Sequence, residues 1–238
     1  QKIKSAKAIF KMVLPLLNAK RNIVKEAIIV GLSAMNINIF RTFIESVEDT
    51  LTTWDIDVTD KQTRIEIFHV ITILSRFLKE SSILKDIWIL KRISMFLKLV
   101  KSLLEHDEVQ NSYDYQFLRG YFAELLARFY STIRANEYID DLFPFEARVS
   151  CFNYLKEWCG YGNNSRIAIE RYNRMINQAY NVRERTAVTT GIEFQRSRLE
   201  IITLEAMVIL CSEPITHTLY DEVNHPIVLS FNINGLLS

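Results

Sequence analysis

The chain has 238 residues, 49% of them hydrophobic, with only six glycines and four prolines. That is enough apolar material for a sizeable core and too few turn-formers for a fold of many strands, so helices are expected. A formal net charge of +1 gives no global pull toward nucleic acid or an anionic membrane, and three cysteines far apart make no disulfide framework, which points to a reducing, cytoplasmic setting.

The chain opens without methionine on "QKIKSAKAIF", already amphipathic, and closes on "NGLLS", which reads as the start of another element. A piece of a longer protein is expected. In "FKMVLPLLNAKRNIVKEAIIVGLSAM" (10–35) a first helix carries Pro15 near its end, and a short polar turn follows. A second helix opens on Val24-Lys25-Glu26-Ala27 and runs on to Gly31-Leu32. This is the layout of a HEAT-repeat hairpin, in which the small Ala27 and Gly31 would let neighbouring helices approach. One hairpin cannot bury its apolar face alone, so such units stack.

"DIDVTDKQTRIE" (55–66) sets Asp55, Asp57, Thr59 and Glu66 at the positions of a calcium loop, but Asp60 stands where the sharp turn needs glycine. Thr59 or Asp60 reads better as a helix N-cap, with Gln62 closing a capping box onto Thr59. Further on, Leu84, Trp88, Ile93, Leu97, Val100 and Leu104 form a helical stripe. The charges at Lys85, Asp86, Lys91, Arg92, Lys98 and Lys101 are too many for a membrane span. Lys91, Lys98 and Lys101 form a ridge opposite the Leu97–Val100–Leu104 seam. With few acids nearby, that ridge is a candidate docking surface for an acidic protein partner. "EHDE" (105–108) reads as a solvated loop. In 112–136, Leu118, Phe122, Leu125, Phe129 and Ile133 recur at spacings of three and four, as on a helix packed from two sides.

"LFPFEARVSCFNYLKEWCGYG" (142–162) raises the question of a reactive or metal site. Cys151 and Cys159 lie eight positions apart, about 12 Å along a helix. That is too far for a disulfide and lacks the close second ligand of a zinc site. With Val149, Phe152, Leu155 and Trp158 alongside, the segment reads as a buried helix carrying small apolar thiols. Gly160 ends it in the C′ position, and Gly162 belongs to the following turn. Arg166, Arg171, Arg174, Arg183, Arg185, Arg196 and Arg198 then crowd one segment, with Tyr172 and Tyr180 interleaved. Such a segment can bind RNA or make salt bridges between neighbouring helices. From Cys211 the helical signal fades, and 212–234 reads as an irregular excursion with a short strand.

His69, His106, His217 and His225 are dispersed, and no Gly-x-Ser-x-Gly or paired-histidine motif is present. The residues propose no catalytic constellation and no cofactor. The fold class expected is all-α, a HEAT/armadillo-like solenoid of helical hairpins forming one segment over 1–238, monomeric and without membrane insertion.

Three stretches together resemble the Furry and fungal cell-morphogenesis family of very large helical-repeat scaffolds. They are "VKEAIIVGLSAMNINIFRTFIESVEDTL" (24–51), "FPFEARVSCFNYLKEWCGYG" (143–162) and "LEAMVILCSEPI" (204–215). Their order is that expected in the family's N-terminal repeat region, and "CFNYLKEWCGYG" is closer to the fungal members. The resemblance implies a non-enzymatic scaffold that binds an NDR-type kinase and its Mob coactivator and supports polarised growth, at the cell cortex. It carries no catalytic motif and no short kinase-binding motif onto these residues.

Overall fold

The computed structural model describes residues 5–52, 60–134, 138–160 and 164–212. Among them are twelve α-helices and no strand. The Ser5 hydroxyl accepts the Ala8 N–H and starts α1 (Ala6–Val13). Pro15, which has no N–H to continue the ladder, sits at the start of a tight 3₁₀ turn over Leu14–Asn18. Then come α2 (Asn22–Ser33), α3 (Phe40–Leu51) and α4 (Lys61–Leu74). A short α5 (Ser81–Leu84), the long α6 (Ile87–Leu104) and a short α7 (Asp107–Gln110) lead to α8 (Gln116–Ile133). The chain ends through α9 (Ile139–Leu142), α10 (Phe145–Lys156), α11 (Asn164–Asn177) and α12 (Val182–Leu210).

The helices lie in two rows. In one row α1 packs on α3, α3 on α6, and α6 on α9. In the other α2 packs on α4, α4 on α8, and α8 on α12. Neighbours within a row run parallel, as their cross-links show. Arg41 of α3 meets Asp86 at the start of α6, and Glu48 meets Arg92 further along both. Lys61 and Thr72 of α4 meet Asp114 and Arg128 in the same order. Five such hydrogen bonds join residues 43, 45, 48, 53 and 56 positions apart. That shift corresponds to one helical hairpin, close to the about 40–47 residues of HEAT and armadillo units. The step from Tyr130 to Ser212 is longer, at 82 positions, because α11 is interposed.

This arrangement explains the wide apolar arcs. α8 is held between α4 and α12, and buries Leu118, Phe122, Leu125, Leu126, Phe129, Tyr130 and Ile133. α2, at the end of its row, buries only Leu32. Ala27 and Gly31 are exposed, and a Cβ added at Gly31 would meet nothing within 4 Å. Among the described residues no helix approaches them, and they lie beside the exposed Ile23 and Val30.

Of the two N-cap candidates for α4, only Asp60 is among the described residues. Asp60 occupies the N-cap position of α4, but its carboxylate accepts from Arg64 Nε at 2.8 Å, while Gln62 donates to Glu66 at 2.7 Å. The arginine one turn on outcompetes the backbone for the Asp60 carboxylate. Asp55, Asp57, Thr59, Gly162 and residues 213–234 of the irregular excursion lie outside the described residues.

Two apolar clusters result. A large one runs from Phe10 to Leu210 through both rows. A small one joins Ala168, Tyr172, Met175 and Ala179 to Val188 and Ile192, where α11 folds against the first half of α12.

Candidate partner-binding surfaces

The lysine ridge of α6 is partly dismantled by its neighbours. Lys91 and Lys98 are exposed and have no ion-pair partner among the described residues. Lys101 does not stand with them. Its side chain is only 13% exposed, its ammonium bonds to Glu105, and it lies 5.4 Å from the centre of the Tyr154 ring. Ser94, on the same flank, donates to the carbonyl of Leu142. Part of the flank of α6 expected to face solvent is met by α9 and by Tyr154 of α10, which sequence periodicity alone could not place. Lys91 and Lys98 remain, on a helix that contains no acidic residue.

The arginine-rich segment divides too. Arg171 is buried and bonds to Glu157 at 3.2 Å, bridging α11 to the end of α10. Arg166 pairs with Glu170, Arg196 with Glu200, and Arg198 approaches Glu124 of α8 at 3.9 Å. Arg174, Arg183 and Arg185 are exposed and make no ion pair among the described residues. Of the seven arginines, Arg171 and Arg198 thus reach another element, Arg166 and Arg196 pair within their own helix, and three stay exposed.

Trp158, Cys151 and Cys159 are all buried, and the two thiols are free. Trp158 packs edge-on against Phe122 and Tyr154, with ring centres 6.4 and 4.4 Å apart. Cys159 donates to the Lys156 carbonyl at 3.1 Å. Burial pushes the Cys151 thiol up to about 12, so it stays protonated at neutral pH. Gly160 has φ +69, the left-handed conformation of a helix-terminating glycine, and a Cβ there would lie 2.7 Å from the Glu200 carboxylate.

Two features gave no signal in the sequence. Arg119 sits among apolar positions of α8 yet is 1% exposed, its guanidinium capping the carbonyls of Val109, Gln110 and Ser112. On α12, Phe194, Ile201, Leu204 and Val208 form an exposed apolar stripe, Phe194 being 86% exposed. A trough of about 310 Å³ between α8 and α12 is lined by Glu124, Arg128, Arg198 and Glu205 among others. Glu124 accepts from Arg128 and lies near Arg198, so those charges compensate one another.

Along its whole length the chain is 55% identical to the cell morphogenesis protein PAG1 of Saccharomyces cerevisiae. The chain belongs to the Furry and fungal cell-morphogenesis family. Over 93% of its length it is 28% identical to the cell polarity protein mor2 of Schizosaccharomyces pombe. It spans 10% and 11% of the lengths of these two family members. No family model and no solved structure matches it.

Proposed function

We propose that this chain is a non-enzymatic scaffold segment that supports an NDR-type kinase–Mob complex in cell morphogenesis and polarised growth, at the cell cortex. The observation that carries the reading is likeness along the entire chain to a protein named for cell morphogenesis, with a second relative named for cell polarity. The architecture agrees physically. Two rows of parallel helices present long side faces, and each hairpin buries its core against its neighbours, leaving outward positions free to vary. Lys91 and Lys98 offer positive potential on one such face, suited to an acidic partner.

The test is binding of the purified chain to a purified kinase–Mob complex at low and moderate salt. Saturable binding that weakens with salt and with Lys91→Glu/Lys98→Glu is expected. A second reading rests on exposed Arg174, Arg183 and Arg185 with the nearby exposed Tyr180, a basic and aromatic surface suited to RNA. A salt-titrated RNA-binding assay separates the two. Salt-sensitive RNA binding that is lost on reversing Arg174, Arg183 and Arg185, with no kinase–Mob binding, would replace the scaffold reading.

A further inference from the structure

A concentration of unpaired buried donors lies away from both candidate surfaces, where α8, α11 and α12 meet the end of α10. Arg119 has no carboxylate partner among the described residues. Its Nη1 and Nη2 donate to the carbonyls of Val109 (2.5 Å), Gln110 (2.7 Å) and Ser112 (3.2 Å) and to Gln116 Oε1 (2.9 Å). Its Nε, together with Gln116 Nε2 and Trp158 Nε1, is buried without a hydrogen-bond partner among the described residues. All three side chains line one cavity of about 10 Å³, with Arg171, Tyr172 and Leu199 completing the wall.

These unpaired groups are of one kind. Each is an N–H donor, and a single water could accept from only two of the three. Its own hydrogens would meet no unpaired acceptor from those three side chains. The charge points the same way. Arg171 adds a second guanidinium that opposes the charge on Arg119, and Glu157, 3.2 Å from Arg171, balances only one of the two. Burial, the largest cause, brings Arg119 down to about 10, which still leaves it cationic at neutral pH. A buried cation is costly unless paired.

We propose that this cavity binds one monatomic anion, chloride in the first instance, held by Arg119 Nε, Trp158 Nε1 and Gln116 Nε2 in the field of Arg119 and Arg171. A cavity of about 10 Å³ is close to the least space that holds one water-sized particle, so the somewhat larger chloride needs a small shift of the lining side chains and a tetrahedral oxyanion a much greater one. The bound ion joins α8 to the α10–α11 corner and ties that corner to the shared core.

The 238-residue chain, exchanged into gluconate buffer, is titrated with sodium chloride against sodium gluconate at constant ionic strength, reading calorimetric heat and melting temperature. A saturable heat and a rise in melting temperature with chloride and bromide are expected, with a bromide anomalous peak beside Arg119 in crystals. Trp158→Phe keeps a ring and deletes one donor, and it weakens chloride binding about tenfold, as loss of one hydrogen bond to a charged group implies. Lys11→Gln, at an exposed position of α1, leaves the affinity unchanged. Identical behaviour in chloride and gluconate with no bromide peak overturns the proposal. So does chloride binding undiminished in Trp158→Phe, or saturation by sulfate alone.

Discussion

Trp158 shows what the second half of the molecule depends on at the residue scale. It fills the space between Phe122 and Tyr154 with 2% of its surface exposed, so Trp158→Ala is expected to cost about 3–5 kcal/mol in denaturant unfolding. Cys159→Ser keeps a donor for the Lys156 carbonyl and is expected to cost under about 1 kcal/mol. Gly160→Ala forces a side chain into the left-handed region and toward Glu200, a loss of about 1–2 kcal/mol. Cys151 gives a pH dependence with a definite sign. In the unfolded chain its thiol ionises near 9, and in the folded protein near 12. Between those values the folded state binds more protons, so its contribution is complete below pH 9 and is lost as pH rises toward 12. Melting temperature measured across this range should fall, and fall less steeply in Cys151→Ala.

At the scale of the element, α6 carries three lysines at regular spacing that the fold puts to two uses. Lys91→Glu and Lys98→Glu change only exposed charge, so melting temperature is expected to stay constant within the small effect of surface charges. Lys101→Glu should behave differently. It places a second carboxylate beside Glu105 and withdraws a cation from the Tyr154 ring, at a half-buried position. A measurable drop in melting temperature is therefore expected for Lys101→Glu alone, and equal melting temperatures for all three variants would contradict a stabilising contact of Lys101 with Glu105 and Tyr154. α12 shows a comparable division along its length. Its first half packs on α11 and its second half on α8 and α10, while Phe194, Ile201, Leu204 and Val208 face outward.

For the whole molecule, packing from neighbour to neighbour means that damage should stay local. Removing residues 1–36 uncovers Phe43, which packs on Phe10 at 5.4 Å, together with the face of α4 that meets the Leu14–Asn18 turn and α2. Aggregation is expected, with hydrogen-exchange protection retained in α8, α10 and α12. In the intact chain, α11 and the first half of α12 share a cluster of only a few buried residues apart from the large core. Their amides should exchange before those of α8, and equal protection throughout would show a single cooperative unit instead.

Taken alone, the sequence determined the all-helical class, most of the helix-bearing segments and the buried character of Trp158, Cys151 and Cys159. Each rests on local periodicity or on a residue's own chemistry, such as the missing N–H of Pro15 or the free φ of Gly160. The family likeness was legible for the same reason, since it is carried by contiguous stretches. Tertiary structure alone decided which face of each helix is covered. Among the described residues Ala27 and Gly31 are exposed, Lys101 was drawn from its ridge by Glu105 and Tyr154, and Arg171 became a bridge from α11 to the end of α10. Arg119 is the clearest case. Its environment comes from carbonyls at Val109, Gln110 and Ser112 and from Trp158 in the turn after α10. Periodicity reports the direction in which a side chain leaves its own helix, and burial depends on what the rest of the chain brings to meet it.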